Sequence, residues 1–279
     1  MIRELSITAL VENTAGRTDC LGEWGLALWI EADQFRILSD TGQGRTLLDN
    51  ARLLGVELKN ADALVISHGH SDHTGGIAAL VASGFRGRVY AHPAALAKKY
   101  HREENSPPKA KGIPLECEQA LRSPSIKLID SSAPTEIAPG LRLTGAIPRQ
   151  TEFEKSSGDS FFLDEECTQP DSFVDDQALL IETPRGWVVV TGCCHSGLIN
   201  TLHYVAKLTG NSRIYALVGG LHLFRASQER ILATAEQLKK FGVRVLVPCH
   251  CTGFEATGIL QTQFGNQVMG LRAGLKLKL

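Results

Sequence analysis

The apolar run Ala63-Leu-Val-Ile-Ser67 leads directly into His68-Gly-His70-Ser-Asp72-His73-Thr-Gly-Gly76. This stretch constrains the chain more than any other. A run of strand length stops at Ser67, and three imidazoles and one carboxylate then leave from a short glycine-containing loop. Imidazole nitrogen and carboxylate oxygen suit zinc, iron or manganese better than calcium or magnesium, which favour all-oxygen shells. His68 and His70, two residues apart in extended backbone, point the same way. Asp72 and His73 can turn toward a second ion. The spacing therefore predicts two adjacent metals, an arrangement that activates water, and Gly75-Gly76 permit a tight turn. The alternative, a polar surface loop with histidines by coincidence, leaves so dense a donor set unexplained.

Composition narrows what such a site can serve. With 279 residues, 43% of them hydrophobic and 21% charged, a substantial core is available. The formal net charge of -1 argues against general attraction to nucleic acid or anionic membrane. No apolar run approaches the roughly 18 residues of a membrane span, and the start Met-Ile-Arg-Glu-Leu lacks a signal-peptide shape. The cytoplasm is the expected location. Seven cysteines, an odd number, agree with a reducing compartment. Cys193-Cys194 and Cys249-x-Cys251 sit beside candidate ligands and match the usual structural zinc knuckle poorly.

Alternation and turn residues predict strands at 3–10, 26–31, 35–39, 63–67 and 87–91, with helices near 45–54, 75–83 and 93–100. The charged, proline-interrupted stretch 98–112 reads as a mobile surface loop, either closing over an active site or simply solvated. Further strands are expected at 125–130 and 141–147, a Ser/Gly/acid-rich loop at 154–175, and a hairpin at 177–182 and 187–191. Helices near 197–208 and 227–240 alternate with strands at 213–218 and 243–247. No short-period repeat or convincing linker divides the chain, so one domain over 1–279 is expected.

His68-x-His70-x-Asp72-His73 after an apolar strand resembles the signature of the metallo-β-lactamase-fold superfamily. The resemblance implies an α/β fold, a four-layer αββα sandwich with a dinuclear site along one edge between its sheets. Asp40-Thr41-Gly42 after strand 35–39 resembles the family's first motif, an Asp that orders the metal loop from beneath. Pro248-Cys249-His250 resembles the last motif, a histidine ligand near the C-terminus. One branch carries the same order of motifs, the one called 7,8-dihydropterin-6-yl-methyl-4-(β-D-ribofuranosyl)aminobenzene-5'-phosphate synthase-like. The matching stretches are Glu23-Trp24-Gly25, Asp40-Thr41-Gly42, Asn50-Ala51, Ser67 to His70, Asp175 to Leu179, Gly192 to Gly197, Gly219 to Leu223 and His250 to Gly253.

The common superfamily pattern also has a third site-one histidine before the late hairpin and a bridging Asp at the end of that hairpin. Here no histidine lies between His101 and His195, and Cys193 falls where the Asp is expected. His195 is then the replacement imidazole, with Asp175 or Asp176 as an alternative oxygen ligand. Each has a plainer reading: His195 as a polar helix start, Asp176 as a turn cap, Cys193 as a buried thiol behind the site. His222, among glycines at a strand end, is a buried structural histidine, an acid/base group or an extra ligand. His92 reads as a loop residue in reach of substrate, and His101 and His203 as surface residues.

The resemblance thus implies a metal-dependent hydrolase or transferase. It would hold two divalent transition ions, zinc first, with manganese, iron or nickel as alternatives, on His68, His70, Asp72, His73, Asp176, His195 and His250. Asp40 and Cys193 would stand behind these ligands. The substrate would be a small phosphorylated or ester compound. Asp72 would orient a hydroxide and His222 would protonate the leaving oxygen. In the synthase reading the metals bind a pyrophosphate leaving from a pterin alcohol while an aminobenzene ring attacks. Helix N-termini after Gly75-Gly76 and after His195-Ser196-Gly197 would steady phosphates. A nuclease on the same fold has only Lys98, Lys99, Arg102, Lys109 and Lys111 in its support. A metal-binding sensor would follow if Cys193 had abolished catalysis.

Overall fold

The computed structural model describes residues 1–154 and 160–279, so part of the expected 154–175 loop lies outside the described residues. The chain forms two compact units. The first comprises Glu4–Ser132, Gly158–Asp175 and Arg272–Leu279, and the second Met1–Arg3, Ala133–Ser157 and Asp176–Leu271.

The first unit is built on a seven-stranded sheet in the order Lys276–Lys278, Leu5–Val11, Ala27–Ala32, Phe35–Ser39, Ala63–Val65, Arg88–Ala91, Lys127–Asp130. The early strands are antiparallel. A two-residue turn joins Ala32 to Phe35, and Asp33 adopts a φ of 51° there, as hairpin turns of this length require. From Phe35–Ser39 onward the pairing is parallel, each strand returning through a helix or helical turn. Leu47–Leu53, Ile77–Ala82 and Leu115–Leu121 place Leu47, Ile77, Leu80 and Leu121 against Leu10, Leu38, Leu64 and Val89 to form the core. Ile7, Ile30 and Ile37, on the other face, are also buried. Burial on both faces explains the unbroken apolar run before the histidine loop.

The second unit is a six-stranded sheet in the order Val245–Cys249, Ile214–Gly220, Gly186–Thr191, Ala178–Thr183, Leu141–Leu143, Thr135–Ala138. The expected hairpin closes through Pro184-Arg185, with the Thr183 hydroxyl donating to the Gly186 carbonyl at 2.7 Å. The last three strands in sequence run parallel. Leu198–Thr209, Gln228–Lys240 and Phe254–Phe264 cover one face, burying Leu202, Ile231, Leu238 and Leu260 against Leu180, Val189, Leu217 and Leu246.

Three expectations change. The helix near 93–100 is a short 3-10 turn, Pro93–Leu96, capped by His92, whose Nδ1 accepts the Ala94 amide at 3.0 Å. Beyond it the Lys99 carbonyl accepts the Lys111 amide at 2.8 Å, and this pairing opens a small sheet of Tyr100–His101, Lys109–Ala110 and Phe161–Phe162. Extended pairing has displaced the helix, and stretch 98–112 is partly built into the unit instead of being a solvated loop. The strand expected at 141–147 stops at Leu143, because Gly145 turns the backbone to a φ of 66°.

In both units the parallel strands deliver their candidate residues from carboxyl ends, where open α/β sheets place ligand crevices. Asp40, His68 and His92 follow strands of the first unit, and Cys193, His222 and His250 follow strands of the second.

Candidate metal centre

Asp40 organises the first unit's donors. It leaves Phe35–Ser39 with a φ of 59° and is fully buried. Its Oδ1 accepts the Ser67 amide at 2.8 Å, and its Oδ2 accepts the Ser67 hydroxyl at 2.7 Å and pairs with His73 Nδ1 at 2.7 Å. A carboxylate only accepts, so His73 carries a proton on Nδ1 and its lone pair lies on Nε2. The single hydroxyl hydrogen of Ser67 is committed to Asp40. Its Oγ, 2.9 Å from His68 Nδ1, therefore accepts there. One carboxylate fixes the tautomers of two imidazoles with Nε2 as the ligand atom, the usual support of a metal-binding histidine.

The ring of His68 lies 4.6 Å from that of His70 and 4.2 Å from that of His73. Burial pushes the His70 imidazole down to about 3, against the pull of Asp72, so it stays neutral and able to ligate. Phe161 stacks on His70 at 4.9 Å and Phe173 meets it edge-on at 5.6 Å. Asp72, half-buried in the turn Ser71–Thr74, is held by its carbonyl, which accepts the Leu26 amide at 3.2 Å.

Lys99 turns inward and is 1% exposed. Its Nζ donates to Asp171 at 2.6 Å and to Asp175 at 3.0 Å, and Asp175 Oδ2 accepts the Gly69 amide at 2.8 Å. Burial alone would push the Lys99 ammonium down, but Asp175 and Asp171 outweigh it and hold it above its ordinary value. Asp175 is thus committed to Lys99 and Gly69. The basic cluster of the nuclease alternative also loses Lys99.

The second unit gathers its donors from three strand ends. Ligand atoms of Cys193, His195 and His222 lie within 4.8 Å of one another, as do those of Cys193, His250 and Cys251. The His195 and His222 rings are 4.2 Å apart. The Cys251 thiol donates to the Cys193 carbonyl at 3.5 Å, a position open only because residue 220 is glycine: a Cβ there would meet Cys251 Sγ at 2.6 Å. Burial pushes the Cys251 thiol up, but hydrogen bonds from the side chains of Cys193 and His222 and the nearness of His250 outweigh it and hold the thiol well below its ordinary value. Burial, reinforced by Asp176, pushes Cys194 well above its own. Asp176 Oδ2 accepts the Ser196 amide at 2.8 Å and so tethers the turn bearing His195. Asp176 joins none of the candidate ligand groups among the described residues. His222 is half-buried, and its Nδ1 has no hydrogen-bond partner among the described residues.

Left-handed backbone marks these strand ends. Cys194, His222 and His250 have φ of 60°, 49° and 50°. Each non-glycine residue held there costs about 1–3 kcal/mol, a strain that clusters at functional sites.

At the helix N-termini expected to steady phosphate, protein groups already take some of the amides. The Gly76 amide donates to Thr41 Oγ1 at 3.1 Å. Before Leu198–Thr209, Glu154 takes the Ile199 and Asn200 amides, each at 2.9 Å. Protein acceptors take these three amides. Burial pushes the Glu154 carboxyl up, although those two amides pull it down.

Ser67, Lys99, Asp171, Phe161 and Glu154 carry roles that sequence reasoning missed. Only Ser67 had a local signal, its place next to His68. Glu23 and Asn50 prove to be loop holders: Glu23 accepts the Gln43 and Arg45 amides, and Asn50 donates to the Leu10 and Leu21 carbonyls. His101 is half-buried against Phe161 at 4.7 Å, while His203 is exposed, packing on Phe241 at 5.1 Å.

Imidazoles, two of them with fixed tautomers, together with carboxylates and thiols form a donor set that fits a transition ion and not an all-oxygen cation. Residues 25–250 match the family model of the metallo-beta-lactamase superfamily, and the chain belongs to that metal-dependent superfamily and has its α/β fold. It is 29% identical, over 99% of its length and 97% of the relative's, to the Methanocaldococcus jannaschii protein named 7,8-dihydropterin-6-methyl-4-(beta-D-ribofuranosyl)-aminobenzene-5'-phosphate synthase. It is 33% identical to an uncharacterized protein of the same organism, over 95% of this chain and 96% of that one. A crystal structure of a metal-dependent hydrolase of the β-lactamase superfamily is similar with a TM-score of 0.83 and 32% identity, covering 99% of both chains. Among the described residues no helix is long and apolar enough to cross a membrane.

Proposed function

We propose that this chain is a metal-dependent enzyme acting on a small phosphorylated or ester substrate, of the kind the similar synthase's name describes. In this reading two divalent transition ions, zinc first, are held by His68, His70, Asp72 and His73 of the first unit with His195 and His250 of the second. Asp176 steadies the His195 turn. The observation that carries the reading is the Asp40 relay, which leaves Nε2 of both His68 and His73 as ligand atoms.

When bound, such ions supply Lewis acidity at a phosphoryl or carbonyl oxygen and acidify water. The chain's own groups do the rest. Asp40 keeps the Nδ1 protons of His73 and, through Ser67, of His68 in place throughout turnover. Asp72 accepts a proton from, or orients, the attacking group. His222 gives a proton from its ring to the leaving oxygen, its strained backbone aiming it from the end of Ile214–Gly220. Phe161 and Phe173 shield the His70 side from water.

Elemental analysis of freshly purified protein, paired with condensation of a dihydropterin pyrophosphate with an aminobenzene ribotide and with hydrolysis of phosphodiester and lactone substrates, tests the proposal. About two zinc-like ions per chain and one of these activities, abolished by chelation and restored by metal, are expected. A metal-free protein, or a loaded one inert toward every substrate class, contradicts it.

A further inference from the structure

The buried charges around Lys99 take no part in the chemistry above, yet they end on the metal loop. One ammonium faces two carboxylates, so the cluster carries a net charge of -1, and all three side chains are at least 95% buried. Asp171 uses its other oxygen to accept the Phe173 amide at 2.8 Å. Asp175 uses its other oxygen to accept the amide of Gly69, the residue between His68 and His70. Gly69 itself is wedged: a Cβ there would collide with the Ala95 carbonyl oxygen. The same segment clamps the loop from its far end, because the Ser71 amide donates to the Lys111 carbonyl at 2.7 Å, and Lys111 in turn pairs with Lys99. The loop's peptides are therefore held at Gly69 and at Ser71 by groups that trace back to Lys99.

We propose that Lys99, Asp171 and Asp175 are positioning residues of the metal loop. Asp175 acts through the Gly69 peptide to set the spacing of His68 and His70, Lys99 fixes the Asp175 carboxylate, and the cluster's surplus negative charge favours a cation on those imidazoles. This rests on the metal-centre reading. A buried ion pair is costly to assemble and weak evidence of stability on its own. A role in holding ligands gives this one a reason to be there. Groups that orient ligands in this way typically contribute about 10–100-fold to metal affinity.

The test is Co2+ titration of the full-length apoprotein against a competing chelator, with the visible d–d spectrum and the apoprotein melting temperature recorded on the same samples. Asp175→Ala is expected to weaken binding by about 10–100-fold and to alter the d–d bands, while Lys99→Arg keeps near-native affinity and spectrum. Removing one partner of a buried pair can prevent folding. The double variant Lys99→Met with Asp171→Asn therefore keeps the cluster's net charge at -1 and is expected to weaken binding in the same direction. Asp164→Asn, in an exposed turn of the same unit, is the control and leaves binding unchanged. Variants that lower the melting temperature but bind Co2+ with native affinity and spectrum would show a purely structural cluster and overturn the inference. A wild type that binds no Co2+ would instead bring down the metal-centre reading beneath it, a failure the wild-type titration alone identifies.

Discussion

In the first unit the donor groups arrive together: His68, His70, Asp72 and His73 occupy six consecutive residues, and one carboxylate, Asp40, sets two of the ring tautomers. In the second unit the corresponding groups come from three separate strand ends, at 193–195, 222 and 250–251, mixed with thiols and held in left-handed backbone. The first is an ordered hydrogen-bonded support whose geometry is set before any ion binds. The second depends on strained turns, on Asp176 at the Ser196 amide and on a glycine that leaves room for Cys251. Preorganisation in one unit is bought with a polar network, and in the other with backbone strain.

The largest effect should come from breaking the first unit's hub. Asp40→Ala strands the Ser67 hydroxyl and amide and His73 Nδ1 inside the protein, so a loss of roughly 3–5 kcal/mol is expected, together with loss of bound metal. Denaturant unfolding and metal analysis of the purified variant check both. A stable, fully loaded Asp40→Ala protein would show that the hub is dispensable.

His195→Ala, in the second unit, should leave the fold intact and remove about one of two ions. Full occupancy would pass its role to Asp176 or Cys193. Cys193→Ser sharpens the same contrast with a smaller change. With imidazoles as ligands and the thiol behind them, the ion count should hold and affinity should fall less than in His195→Ala. A strong sulfur-to-cobalt charge-transfer band in the Co2+ wild type, lost in Cys193→Ser, would instead place the thiol on the metal.

The contrast between units also governs what could be read in advance. Every parallel strand that delivers a candidate residue follows from an apolar run, and the His68–His73 loop is a local pattern, so both were legible. Asp40 and His250 became legible only through motif order, because their partners lie far along the chain. Lys99 was misplaced for a related reason. Its charge and its proline-containing neighbourhood describe a solvated loop, and nothing local shows that two carboxylates, 72 and 76 residues away, draw it inside. Glu154 escaped notice similarly: its carboxylate fills the N-terminus of Leu198–Thr209, which the sequence leaves looking open to phosphate.

A separate effect is expected on pH dependence. His70, whose ordinary value is 6.5, is pushed down to about 3 by burial in the apoprotein. Between those values the unfolded chain binds the proton and the folded chain does not. Apoprotein stability is therefore fully present above about 6.5 and falls as the pH drops toward 3. Melting temperatures across this range should decline in the wild type and decline less in His70→Gln. Parallel curves for the two proteins would assign the acid sensitivity elsewhere.

Anomalous diffraction at the zinc edge from crystals of the zinc-loaded protein tests the proposed pair of ions most directly. Two peaks about 3.5–4 Å apart, as in two-metal sites, are expected, with ligands to the pair drawn from His68, His70, Asp72 and His73 and also from His195 and His250. A peak ligated by one unit alone, with His250 bound to no metal, would contradict it.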